Sequence, residues 1–142
     1  MAIHNKDLWY LAGLFDGEGS FGIYGKNGAK LCITMTDEEP IKLFANFFGL
    51  HYHQTHSLRK QNLGHKAQYS CQASGKSALR VAKILEPLLK TPRRIRAQQI
   101  IELYKPRFCI ECGTELINKR FSARTCSTRC NNKQQWKKKR GD

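Results

Sequence analysis

An α+β domain followed by a small metal-dependent module is the fold class this sequence predicts, and three observations predict it. Apolar residues recur at helical spacing in four separate stretches. Between them lie two pairs of alternating segments, each pair joined by a turn signal. The last 36 residues hold two cysteine pairs and too little apolar material for a core of their own. The order is helix, hairpin, helix, hairpin, helix, helix over residues 1–105, with the module at 106–142.

The first helix opens with Asn5 as a plausible N-cap and Asp7 in its first turn, where an anion suits the helix dipole. Leu8, Leu11, Ala12 and Phe15 form one buried stripe. Trp9, Tyr10 and Leu14 make most of the remaining circumference apolar as well. Such a helix needs cover on two sides. An ordinary buried core helix satisfies that, and so does a second copy of the chain. Gly13 and Gly17 form a small-x-x-x-small row that lets two helix backbones approach closely. The run Leu8–Phe15 is too short to span a bilayer. Asp16 and Glu18, set among glycines where the helix ends, are poorly placed for stability and well placed to bind a divalent cation.

Ser20–Lys26 alternates, with Phe21 and Ile23 on one face, and Asn27-Gly28 marks a hairpin turn. Lys30–Thr36 alternates again, with Leu31, Ile33 and Met35 inward. Thr36 and Glu39 form a candidate capping box before a helix carrying Ile41, Phe44, Phe47 and Phe48, which stops at Gly49. A second strand pair is expected at 50–58 and 65–73 around Asn62-Leu63-Gly64. Ala78, Ala82, Leu85 and Leu89 mark a third helix, broken near Pro87. Thr91-Pro92 opens the last helix of the domain, to about Tyr104.

With 25 Lys and Arg against 11 Asp and Glu among 142 residues, the formal charge is +14. That excess implies a polyanionic partner, and no basic amphipathic helix or lipidation signal argues for a membrane. No N-terminal secretory h-region is present, so the chain is expected to be intracellular and not secreted. Six cysteines in such a chain suggest metal rather than disulfides.

Leu11-Ala12-Gly13-Leu14-Phe15-Asp16-Gly17-Glu18-Gly19 resembles the motif that names the LAGLIDADG homing endonucleases. Phe15 stands for the isoleucine, and Gly17-Glu18 for Ala-Asp. Leu85–Lys90 with Arg93–Ala97 is similar to that family's closing segment. The resemblance implies an αββαββα core over residues 5–105 whose sheet forms a saddle in the DNA major groove. It implies that Glu18 binds Mg2+, with Asp16 structural. It further implies Arg93, with Lys90 in reserve, as the basic residue that stabilises developing charge, and Thr36 near a water-positioning site. One motif copy implies a homodimer of C2 symmetry through the Leu8–Gly17 helix. The candidate DNA contacts are Tyr24, Lys26, Lys30, Thr34, His51, His53, Gln68, Ser70 and Gln72, a polar strand face poor in acids. Any antiparallel sheet shows a polar outer face. His51, His53 and His56 also raise a metal cluster as an alternative.

Cys109-x2-Cys112, thirteen residues, then Cys126-x3-Cys130 is a four-thiolate Zn2+ signature. Arg124–Cys130 resembles the treble-clef-like fingers attached to phage and intron nucleases. Residues 107–142 carry ten basic residues against three acids, three times the charge density of the rest. Arg129, Lys133, Lys137 and Lys138 are expected on phosphate backbone; a solvated tail is the alternative for Lys137–Arg140, but their place after the cysteine cluster and Trp136 favours phosphate. Cys32 and Cys71 are expected as small packed residues.

The expected function is site-specific cleavage of double-stranded DNA by a homodimer at a long, near-palindromic site with a staggered cut. An intron maturase acting on its own intron RNA, or a non-cleaving DNA-binding regulator on the same fold, are the alternatives.

Overall fold

The computed structural model describes residues 5–25, 28–55, 63–90, 92–117 and 119–141. The chain forms two compact units, Met1–Glu102 and Leu103–Asp142. No helix among the described residues is long and apolar enough to cross a membrane.

In the first unit the elements run α1 (Asn5–Glu18), β1 (Gly19–Tyr24), β2 (Gly28–Met35), α2 (Glu38–Phe48), β3 (Tyr52–Gln54), β4 (Tyr69–Ser74), α3 (Gly75–Leu85), one 3-10 turn (Glu86–Leu88) and α4 (Arg93–Leu103). This is the αββαββα order, with a further helix. The four strands pair antiparallel in the order β1-β2-β4-β3. Helices cover one face of the sheet. Leu11, Ala12 and Phe15 of α1 are buried with Phe21, Leu31, Ile33 and Cys71 of the sheet. Ile41, Phe44, Ala45 and Phe48 of α2, and Ala78, Val81, Ala82 and Leu85 of α3, complete the core with Leu89, Ala97 and Ile100. Phe44 sits at its centre, its ring 5.7 Å from Phe15 and 4.7 Å from Phe48.

Several local details differ from the sequence expectation. The β1–β2 register pairs Tyr24 with Gly28 and Gly22 with Lys30, and the expected Asn27-Gly28 turn falls partly outside the described residues. Gly25 and Gly28 take positive φ, a conformation glycine adopts without strain. Lys26 and Asn27 lie outside the described residues, as do His56, Asn62, Thr91 and the side chain of Asn5. The cap of α2 is Asp37, whose carboxylate accepts from Glu39 N at 3.3 Å, and not Thr36. Its carboxylate meets the orphan amides of the first turn directly. Gly49 ends α2 in the left-handed conformation, as expected.

The second hairpin is much shorter than its alternation suggests: β3 holds three residues, extended by Thr55 N donating to Gln68 O at 2.8 Å. Pro87 closes α3 by converting the chain to the 3-10 turn at Glu86. Ile23, expected inward, is 39% exposed, although Ala29 opposite it is fully buried.

The second unit is built around a knuckle. Cys109 O accepts from Gly113 N at 2.9 Å, and Cys109 N donates to Thr114 O at 2.8 Å, with Gly113 at φ 72°. A bridge between Phe108 and Glu115 closes this turn. Helix α5 (Thr128–Arg140) follows, capped by Ser127, whose hydroxyl accepts from Cys130 N at 3.2 Å. Arg107 organises the loop between them, donating to the carbonyls of Lys119, Arg120, Phe121 and Ala123.

Candidate active site and nucleic-acid interface

Helix α1 runs one residue further than its glycines suggest and ends on Glu18, which is exposed. The end of the helix is fixed by three contacts. Phe15 packs against Gly19 so closely that a Cβ there would lie 2.3 Å from the ring. Asp16 Oδ2 accepts from Lys90 N at 3.2 Å. The Arg93 guanidinium donates from Nε to Gly19 O at 2.7 Å and from Nη2 to Gly17 O at 3.1 Å. Lys90 and Arg93 are thus both brought to the motif, one through its main chain and one through its side chain. Thr36, exposed, follows the end of β2.

Among the described residues, nothing covers the remaining face of α1. Trp9 is 57% and Tyr10 50% exposed. Gly13 and Gly17 face open space, with nothing within 4 Å of where a Cβ would stand.

On the sheet, the registers put Ser20, Gly22 and Tyr24 of β1, Lys30, Cys32 and Thr34 of β2, Ser70 and Gln72 of β4, and His53 of β3 on the face away from the helices. Six of the nine expected contacts fall in this set. His51 and Gln68 stand just outside the strands. Lys26 is outside the described residues.

One expected contact is corrected: Ser70 is only 1% exposed and is not itself free to meet a ligand. Its hydroxyl receives Thr34 Oγ1 at 3.0 Å and Gln72 Nε2 at 3.4 Å, with Cys32 Sγ at 3.6 Å. It serves as the junction of the face. Cys32 is the second correction. It lies on this polar face rather than in the core, paired with Ser20 on one side and Gln72 on the other. Its parity with Lys30 and Thr34 carried that signal in the sequence. Cys71 does pack in the core, and burial pushes its thiol up to about 11. The Tyr24 ring folds back over Gly22, where a Cβ would meet it at 2.4 Å, and Lys30 Nζ stands 5.7 Å from its centroid.

Among the described residues, the group with the geometry of a metal site is Cys109, Cys112, Cys126 and Cys130; the histidine alternative includes His56, which lies outside them. All four sulfurs lie within 4.8 Å of one another. The separations of 3.4 Å for Cys112–Cys126 and 3.6 Å for Cys126–Cys130 approach the ~3.8 Å edge of a tetrahedron with ~2.3 Å Zn–S bonds. Desolvation raises the Cys109 thiol, but the backbone amides of Cys112, Glu111 and Cys126 outweigh it and bring it down to about 6. Hydrogen bonding from Cys112 pushes Cys126 up to about 11. The residues fit a metal that binds thiolates. Glu111, its carboxyl lowered chiefly by Lys137 at 2.9 Å, also accepts from Gln134 at 2.6 Å and so ties the knuckle to α5. Arg129, Lys133, Lys137 and Lys138 are exposed along α5, together with Trp136, which is 64% exposed.

The model of the LAGLIDADG-like domain family matches residues 5–86. No curated protein matches the sequence. Among solved structures, the chain is similar to the group I intron-encoded homing endonuclease I-CeuI complexed with DNA. That likeness has 17% identity and a TM-score of 0.54, covering 72% of this chain and 56% of the other. It is also similar to the homing endonuclease I-CvuI in complex with the I-CreI target in the presence of Mg, with 14% identity and a TM-score of 0.53. There the match covers 69% of this chain and 65% of the other. At such identities the likeness concerns the fold, and this chain spans less than two thirds of either protein's length. The family model covers more than half of this chain, including α1 and all four strands, and on that match the chain belongs to the LAGLIDADG-like domain family.

Proposed function

We propose that this protein is a site-specific endonuclease that cuts both strands of a near-palindromic DNA site as a homodimer. The observation that carries the reading is the geometry of α1. It delivers an exposed carboxylate, Glu18, at the end of a helix whose non-core face, Trp9-Tyr10-Gly13-Gly17, has no cover among the described residues. A second α1 packed on that face would bring two Glu18 side chains together at a twofold axis, one for each strand of the duplex.

Glu18 offers the oxygen donors Mg2+ takes. Asp16 is turned to Lys90 N, so one chain supplies one such acid and the partner would supply the other. When bound, Mg2+ supplies water activation and neutralises the leaving oxygen. The chain's own residues bind and orient the duplex. Lys30, Gln72, Thr34, His53 and Tyr24 present donors and an aromatic ring from one sheet face, suited to base edges in the major groove. The exposed basic residues of α5 suit phosphate backbone. The four cysteines would hold Zn2+, which replaces the core this unit is too small to build.

The reading is tested by incubating the protein with a randomised duplex library and Mg2+, wild type beside Glu18→Gln. Recovery of one near-palindromic, staggered cut site with wild type alone is the expected result. Specific retention of sequences without cutting would reject the endonuclease and favour a regulator or a maturase on the same fold.

A further inference from the structure

We infer that Arg93 is a positioning residue for Glu18, acting through the main chain of α1 rather than on the reacting phosphate. The inference rests on the endonuclease reading above. The guanidinium grips the carbonyls of Gly17 and Gly19, the two residues that flank Glu18 in sequence, at 3.1 and 2.7 Å. Gly17 lies in the last turn of α1, where the unpaired C=O groups concentrate negative potential, and Gly19 opens β1 directly after it. A carboxylate held there is opposed by the helix itself. A guanidinium bonded to both carbonyls offsets that potential and fixes the backbone on either side of the acid.

Among the described residues, no other hydrogen bond to the motif does this. Asp16 and Lys90 N tie the preceding residue, and Phe15 backs Gly19, but neither supplies positive charge to the helix end. Gly19 is already held by the Phe15 ring and by its pairing with Ile33, so the fork adds its restraint chiefly at Gly17, on the helix side of Glu18. Two of the guanidinium's three nitrogens are committed to these carbonyls, each within good hydrogen-bond range. That is the arrangement of a support for a metal ligand, not of a group aimed at substrate.

The test compares wild type, Arg93→Gln, Arg93→Lys and Glu18→Gln on the cut site recovered from the library. Ca2+ binding to the protein–duplex complex is measured by calorimetry, and cleavage is followed against Mg2+ concentration. Arg93→Gln is expected to weaken Ca2+ binding by about 10–100-fold and to raise the Mg2+ needed for half-maximal cleavage by the same factor. Duplex affinity should stay within about threefold, and the rate at saturating Mg2+ should approach wild type. Arg93→Lys, which keeps the charge but cannot bridge both carbonyls, should fall between them.

Unchanged Ca2+ affinity with a reduced rate at saturating Mg2+ would overturn the inference and place Arg93 on the reacting phosphate. Arg93→Lys equal to wild type in every readout would overturn it too, even if Arg93→Gln failed to fold. Failure of wild type to cut, with Ca2+ binding the same in wild type and Glu18→Gln, would instead reject the endonuclease reading beneath it.

Discussion

Replacing each of three glycines in the α1 motif by alanine is expected to give opposite effects, because their surroundings are opposite. At Gly19 the new Cβ meets three carbons of the Phe15 ring at 2.3–2.5 Å, about 1 Å inside ordinary contact. The ring cannot step aside. It is fully buried, with Phe21 at 4.7 Å and Phe44 at 5.7 Å between centroids. Forcing a methyl into such packing costs about 3 kcal/mol, the upper end of overpacking penalties. For a unit of this size that lowers the melting temperature by roughly 12 °C or more.

At Gly13 and Gly17 nothing stands within 4 Å, so alanine adds only helix propensity. The isolated chain should gain about 0.5–1 kcal/mol at each, or roughly 2–8 °C. If this row closes a homodimer, the same substitutions weaken association. Thermal melts by circular dichroism, paired with sedimentation at several concentrations, read both effects. A Gly19→Ala protein melting within about 2 °C of wild type would refute the packing argument. Gly13→Ala and Gly17→Ala proteins that dimerise as well as wild type would refute the closing role of the row.

Chelation of metal should unfold residues 103–142 selectively, and native mass spectrometry should find one zinc per wild-type chain and none in Cys126→Ser. Removal of residues 107–142 should lower the slope of log binding constant against log salt by about 2–4, since α5 carries six basic side chains and no acid; an unchanged slope would free α5 from a phosphate role. Glu86 accepts from Arg94 at 3.0 Å and Gln98 at 2.9 Å, which lowers its carboxyl. Its stabilisation is therefore complete above the usual carboxylate range and lost as pH falls through the lowered value. Wild type should melt above Glu86→Gln at neutral pH and converge with it in acid.

The sequence carried those parts of the molecule that depend on local pattern. The stripe Leu11, Ala12 and Phe15, the stop at Gly49 and the spacing of the four cysteines each reflect chemistry within a few residues. What it did not carry depends on partners far away in the chain. The register that sets Phe21 opposite Leu31 comes from burying both on one face, and neither strand shows it alone. Ser70 reads as an outward polar residue, and only its neighbours Thr34 and Gln72 close over it. Arg93 lies 74 residues from Gly19, so its grip on the end of α1 leaves no local trace. Asp37 and Thr36 are both good caps, and backbone geometry chooses between them.

The buried hydroxyl of Ser70 also bears on how such a surface can change its preference. Thr34, Gln72 and Cys32 converge on this one oxygen, so a substitution at any of them reorients the other two. Their contributions to recognition are then not separable, and energies measured singly will not sum. A new target would be reached by exchanging the three positions as a set, whereas Tyr24 with Lys30, at the far end of the sheet, can vary on its own.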